Sequence, residues 1–320
     1  MDCPPGRFSL AVGALTSATC DVCSGERTHP SPAEPPPNFS FLKLWNDAGL
    51  PPITPVKTIH FSEGLASIEP IYDASGVSTQ PMILTGFPNA SSALFRDKWT
   101  NSFLYDHFSR DSNFETLLTK KTFLRGTDAF AGEDEDIRVL KGQEAASWLF
   151  GEKGERAGQD GKAAYIGLVP IWSFPEILAD LQGSLPAFML NGYSNVFQYR
   201  RESLAIWAGR GGDVDSGLHY DENLGGFMLV AKGVKEVLLF PHSDIEHLYM
   251  RQELWHSAES SIYIGDILQK GEQGKYKRLQ NTHPRLAVIE AGDVIYIPHK
   301  WFHEVYTHGD SLGVSAWVRP

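Results

Sequence analysis

Residues 203–320 are a succession of short apolar runs cut apart by Gly, Asp and Pro. The runs at 203–208, 226–231, 235–240, 286–289, 294–297 and 312–318 are rich in β-branched and aromatic residues. Runs of that length bounded by turn formers suit strands better than helices. Many short strands in one stretch predict an antiparallel sandwich or barrel. Between them, residues 245–254 read as helical and 255–285 as a long polar excursion.

The part before this is different. Residues 1–37 hold seven of the twenty prolines and read as a disordered Pro-rich tail. Residues 38–160 read as a mixed α/β region. Strands are predicted within 58–68 and 81–86, and a helix over 95–108 with Trp99, Phe103 and Leu104 as anchors. The acidic run 133–136 reads as a helix start before Ala145, Ala146 and Trp148, and 151–162 as an exposed loop.

Charge and cysteine usage narrow the function classes. The 28 Lys and Arg stand against 39 Asp and Glu, a net charge of −11. A uniformly basic nucleic-acid coat is not expected, though Arg200, Arg201, Arg210 and the 270–278 segment could form a local basic rim, with a solvated loop as the competing reading of that segment. No apolar run reaches the roughly 18–20 residues of a membrane helix, so no membrane partner is expected. Cys3, Cys20 and Cys23 are the only cysteines. An odd count confined to one end is no disulfide framework. Cys20 and Cys23 lack the second pair that a structural zinc site needs, unless Cys3 and His29 complete one. The segment is only weakly apolar and does not read as a signal peptide. A reducing compartment, cytoplasmic or nuclear, is the expectation.

The chemistry lies in Gly217-Leu218-His219-Tyr220-Asp221. Residues two apart on a strand share a face, so His219 and Asp221 would meet in a barrel interior. The third partner is His303, which follows the turn 290–293, the strand 294–298 and a Pro. It is expected just past a strand end, on a loop aimed into the barrel mouth. Two His and one carboxylate form the facial set of non-haem Fe(II) oxygenases, with positions left open for a cosubstrate and O2. A plain His–Asp hydrogen bond is the competing reading, and His299 is the reserve ligand. Lys235 shares the apolar face of Val237 and Leu239. Such a lysine needs an anion, an exit to solvent, or a pairing with Glu236. A dicarboxylate cosubstrate would supply the anion. His242, His247, His256, His283 and His308 read as surface or loop residues.

The stretches SGLHYDENLGGFMLVAKGVKEVLLFPHSDIEHLY and EAGDVIYIPHKWFHEVYTHGDSLGVSAWV resemble the JmjC, or cupin-8-like, group of Fe(II)- and 2-oxoglutarate-dependent oxygenases. The likeness covers residues from about 160 to 320. It is nearest to the small hydroxylase type, such as the hypoxia-inducible-factor asparaginyl hydroxylase and the tRNA wybutosine hydroxylase. It implies a mainly β fold with α: a double-stranded β-helix (jelly-roll or cupin barrel) over 161–320, preceded by the mixed α/β region. It places His219, Asp221 and His303 on the metal triad and Lys235 on the lysine that pairs with the distal carboxylate of 2-oxoglutarate. Ser216 falls on a hydroxyl position for the same carboxylate, and Tyr165 where relatives set a tyrosine against the cosubstrate. Ser315 stands where the asparaginyl hydroxylase has an Asn. The interval from Asp221 to Lys235 is one residue longer than in that relative, which a bulge could absorb.

The cofactors so implied are Fe(II), 2-oxoglutarate and O2. The expected activity is hydroxylation of a protein side chain, with succinate and CO2 as co-products. A tRNA-base hydroxylase and an N-methyl-lysine demethylase are alternatives of the same class. A metal-binding cupin without 2-oxoglutarate turnover is the alternative of a different class. The last core strand is expected to end at the C-terminus, without the dimerising helices of some relatives, which favours a monomer.

Overall fold

The structure, a computed structural model, describes residues 7–9, 20–22, 39–60, 80–87, 94–111, 115–119, 137–151, 163–184, 198–221, 225–250 and 258–319. Residues Met1–Glu34 form one unit and Pro35–Pro320 another. In the first, β1 (Arg7–Ser9) pairs antiparallel with β2 (Cys20–Val22). The predicted tail falls mostly outside the described residues, as do Cys3 and His29.

The larger unit opens with α1 (Phe41–Asp47), β3 (Thr54–Pro55), β4 (Lys57–His60) and β5 (Met82–Thr85). It continues through α2 (Asn101–Phe108), β6 (Glu115–Thr119), β7 (Ile137–Lys141), α3 (Gly142–Phe150), β8 (Ala163–Pro170) and α4 (Pro175–Ser184). The barrel strands follow: β9 (Gln198–Arg210), β10 (Val214–Asp215), β11 (His219–Tyr220), β12 (Gly225–Phe240) and β13 (Ala258–Glu259). After α5 (Ile264–Gln269) come β14 (Arg285–Glu290), β15 (Val294–Ile297) and β16 (Phe302–Arg319).

β12 and β16 run antiparallel along their whole length and belong to two sheets at once. The first half of β12 and the second half of β16 sit in the order β4-β5-β15-β12-β16-β9-β8-β6-β7. The other halves pair with β14 and with β10 and β11, which extend the second sheet to β3 and β13. Register shifts at Lys232 mark the bend between the halves. Gly233 (φ +83°) and Gly309 (φ +53°) take the left-handed backbone there. The inward side chains of both sheets meet as Met228, Val230, Val237, Leu239, Ala287, Ile289 and Ile295. Two sheets sharing their long strands around one apolar interior form a double-stranded β-helix, the fold anticipated from the sequence.

Alternation turns the intervening residues outward, and helices cover them. Phe227, Leu229, Leu312 and Val314 pack under Leu104, Phe108, Trp148, Leu149 and Ile177 of α2, α3 and α4. Leu238, Phe240 and Phe302 pack under Phe41 and Trp45 of α1 and Ile264 and Ile267 of α5. Phe41 and Trp45 are one turn apart and fully buried. Burial of such side chains contributes about 1.5–3 kcal/mol each. That packing holds a seven-residue helix which would not stand alone in water. Ser40 caps it by accepting from the Lys43 amide, and Thr100 caps α2 by accepting from the Phe103 amide.

Several local expectations are corrected. Residues 226–231 and 235–240 form one strand, because β16 stays paired across the bulge. β16 likewise begins at Phe302, so His303 is a strand residue and not a loop residue. The helix expected over 95–108 is split by the Thr100 cap into a π-turn (Leu94–Lys98) and α2. The stretch after the acidic run starts as a strand, β7, before α3 begins. In place of a helix over 245–254 there is a 3-10 turn, His242–His247, and 251–257 lie outside the described residues. The polar excursion carries α5 and buries Ile262, Ile264, Ile267 and Leu279. Among the described residues, no helix is long and apolar enough to cross a membrane.

A Cβ at Gly233 would collide with the Asp310 carbonyl oxygen, on a left-handed backbone that L-residues avoid. Gly233→Ala is therefore expected to cost about 2 kcal/mol or more. A lower urea midpoint with an unchanged slope is the result that checks it.

Candidate metal centre

His219 of β11 and His303 of β16 are register partners in adjacent strands. Their imidazole centroids are 4.3 Å apart. Asp221, two residues after His219, reaches the same place. One ligand atom from each of the three lies within 4.8 Å of the other two. The strand pairing thus brings together the three residues singled out from the sequence.

Each imidazole is oriented from behind. His219 Nδ1 lies 2.9 Å from the Gly217 carbonyl oxygen, and His303 Nδ1 lies 3.1 Å from that of Trp301. A ring nitrogen facing a carbonyl must carry the proton and donate, which leaves each Nε2 lone pair for a metal. Burial, and next the neighbouring His219, lower the His303 pKa to about 4 against a smaller opposing effect of Asp221. His303 is therefore neutral at pH 7, the form that ligates. Trp317 Nε1 donates to Asp221 Oδ2 at 2.8 Å and leaves the other oxygen available. Two imidazoles and one carboxylate suit Fe(II) with open positions.

Behind the triad stands a second buried layer. The Asp215 carboxylate accepts from the Gly217 amide at 2.7 Å, and Glu304 accepts from the Ile264 and Gly265 amides at 3.0 and 2.7 Å. Glu304 thereby caps α5 against the strand that bears His303. Burial, and next the charge of Glu304, raise the Asp215 pKa well above the carboxylate range. The chain Asp215–Gly217–His219 ties this layer to the ligand.

Lys235 lies deeper in the interior and is 2% exposed. Its Nζ donates to Thr307 Oγ1 at 2.7 Å. Among the described residues no carboxylate lies within ion-pair distance of it. Glu236 points to the opposite face, where it accepts from the Phe41 amide at 2.8 Å and pairs with His308 Nε2 at 3.1 Å. An exit of Lys235 to solvent and a pairing with Glu236 are both overturned by this geometry. So is a surface reading of His308, which is 5% exposed. Burial alone lowers the Lys235 pKa to about 7. A desolvated ammonium without a counter-charge is costly, and an anionic ligand would offset that cost. A dicarboxylate such as 2-oxoglutarate fits this donor set.

The remaining sequence candidates are distributed around the same interior. Tyr165 faces inward on β8, opposite Gly209, with its ring 6.5 Å from that of Trp207. Burial, and next the charge of Asp215, raise its pKa. Ser315 pairs with Met228 and Ala205 on the inward face. Ser216 turns its hydroxyl to the β16 backbone, accepting from the Val305 amide at 3.2 Å. The hydroxyl that meets Lys235 belongs to Thr307, which sequence reasoning missed. Its signal was there: 303, 305 and 307 share a face once His303 is read as a strand residue. His299 is not a member of the triad cluster.

A family model described as a cupin-like domain matches residues 73–320. The JmjC domain-containing protein F of Dictyostelium discoideum is 27% identical over 180 residues, 50% of this chain and 36% of that protein. The human tRNA wybutosine-synthesizing protein 5 is 27% identical over 148 residues, 45% of this chain and 40% of that protein. The tRNA wybutosine-synthesizing protein 4 of Neurospora crassa is 37% identical over 110 residues, 34% of this chain and 9% of that protein. The matched segments thus span less than half the length of these relatives.

Trp317→Phe keeps the ring and removes the donor that holds Asp221. It is expected to weaken Mn(II) or Fe(II) binding about 10- to 100-fold. Anaerobic metal titration checks this, with the melting temperature of the metal-free protein unchanged.

Proposed function

The chain belongs to the cupin-like domain family, and on that footing we propose that it is an Fe(II)- and 2-oxoglutarate-dependent hydroxylase. The observation that carries the reading is the pairing of two features in one barrel interior. A two-His, one-carboxylate cluster stands in the same interior as a buried ammonium that has no carboxylate within ion-pair distance among the described residues.

His219 and His303 would hold Fe(II) through Nε2, and Asp221 through the oxygen that Trp317 leaves available. Lys235 and Thr307 would bind the distal carboxylate of 2-oxoglutarate. Fe(II) and 2-oxoglutarate together supply the oxidising chemistry: one oxygen atom of O2 enters succinate as CO2 leaves, and the other becomes a hydroxyl on a substrate C–H bond. The chain's own work is positional. The backbone carbonyls of Gly217 and Trp301 fix both imidazoles. The apolar interior around Val237, Ile289 and Ile295 keeps water from the Lys235 ammonium, where it strengthens the attraction for a carboxylate.

A protein side chain is the first substrate reading. A tRNA base is the second, favoured by the wybutosine-synthesis names of several relatives. The net charge of −11 confines any RNA contact to a local basic rim, to which Arg210 does not belong, being 7% exposed and donating to the Leu149 and Gly151 carbonyls. Peptide and tRNA pools separate the two by which of them raises succinate release.

The class is tested by admitting oxygen to anaerobically Fe(II)-loaded protein and measuring succinate from 2-oxoglutarate. His219→Ala is expected to abolish release. Lys235→Ala is expected to raise the 2-oxoglutarate concentration needed by at least about tenfold, the scale of a hydrogen bond to a charged group. Full succinate release by His219→Ala would refute the assignment.

A further inference from the structure

Among the described residues, Trp207 and Ser311 each present a polar atom to the barrel interior without a partner. The indole Nε1 of Trp207 is closed off from solvent and makes no hydrogen bond, and the same is true of Ser311 Oγ. Ser311 is 4% exposed. A buried donor without an acceptor is costly, and a native site that keeps one calls for an explanation. A phenylalanine would fill the Trp207 seat without that cost.

Both residues face the chamber of Lys235. Trp207 of β9 is the register partner of Gly313 in β16. A Cβ at Gly313 would lie 3.4 Å from Lys235 Cε, so the lysine stem runs over this glycine, beside Trp207. Ser311 is the register partner of Gly209, where a Cβ would lie 3.4 Å from Ser311 Oγ and 3.5 Å from the Tyr165 ring. Residues 311, 313 and 315 alternate inward with Ser311 at the Tyr165 end. The Trp207 ring is seated by a third glycine. A Cβ at Gly167 would stand 2.6 Å from Trp207 Cζ3. The indole is therefore held in place by residues that leave room for it, and among the described residues its N–H has nothing to donate to.

We infer that Trp207 and Ser311 are binding residues of the Lys235 chamber, donating an N–H and an O–H to the same carboxylate that Lys235 and Thr307 hold. Four donors then read the far end of the cosubstrate and select a dicarboxylate over a 2-oxo acid that ends in a methyl group. This rests on the chamber being the 2-oxoglutarate site.

The test is calorimetric binding to the full chain loaded with Mn(II) under nitrogen. The ligands are 2-oxoglutarate and 2-oxopentanoate, which lacks the distal carboxylate. Trp207→Phe and Ser311→Ala are each expected to weaken 2-oxoglutarate about tenfold, as for a lost hydrogen bond to a charged group. Affinity for 2-oxopentanoate and for Mn(II) should not change. Should Trp207→Phe fail to fold, Ser311→Ala carries the same comparison. Equal weakening of both 2-oxo acids would mean general damage to the cavity and would overturn the inference. Wild-type 2-oxoglutarate affinity in both variants, with loss in Lys235→Ala, would overturn it and leave the functional reading standing. No 2-oxoglutarate binding by the Mn(II)-loaded wild type would overturn both.

Discussion

The site depends on the antiparallel ladder between β12 and β16. These two strands pass through both sheets, and the register of one against the other fixes which side chains point inward. Lys235 is set opposite Thr307, and His303 is set beside His219 of β11. Trp317 lies at the other end of β16 and reaches Asp221 from the opposite sheet. A slip of one residue would exchange the inward and outward sets. It would put Glu236 and Glu304 inside and Lys235 and His303 against the covering helices. The bulge at Lys232 and Gly233 lets the ladder bend without losing pairing on either side.

That alternation also sorts the charges. The outward carboxylates of β12 and β16 find backbone amides and a histidine. Glu236 meets the Phe41 amide and His308, and Glu304 meets the first amides of α5. Helix N-termini are natural partners for such groups. They fasten the covering helices to the back of the barrel, while the inward cation is left without an acid among the described residues. Lys235, Trp207 and Ser311 then share one feature, a buried donor capacity larger than the surrounding protein can satisfy. A ligand with a carboxylate at its far end would answer all three.

Much of this was readable beforehand. The His219–Asp221 spacing, the distant His303 and the inward Lys235 follow from strand periodicity and from which residue types hold metals and anions. The barrel class follows from short apolar runs between turn formers. What escaped has physical reasons. Strand continuity across the Lys232–Gly233 bend depends on β16 pairing on both sides, which is non-local. Pro298 and the polar His299-Lys300 pair looked like the start of a long loop, which hid the strand position of His303 and with it Thr307. Trp207 was not singled out, because an unpaired N–H shows only once the neighbours are placed. His308 read as a surface residue because its partner, Glu236, is 72 residues away.

The central claim is that the Lys235 ammonium is held for an anion beside a metal site. Burial sets its pKa near 7 in the free protein, and a bound carboxylate would raise it. At pH 8 the free lysine is mostly neutral and the bound one charged, so binding takes up a proton. At pH 6 both are charged and uptake vanishes. Affinity accordingly falls as pH rises through the interval between the two pKa values. The most direct measurement is calorimetry of 2-oxoglutarate with the Mn(II)-loaded protein in buffers of different ionisation enthalpy. Uptake of about one proton at pH 8 and almost none at pH 6 is the predicted result. Tight binding with no proton uptake at pH 8, or affinity that rises with pH, would contradict it.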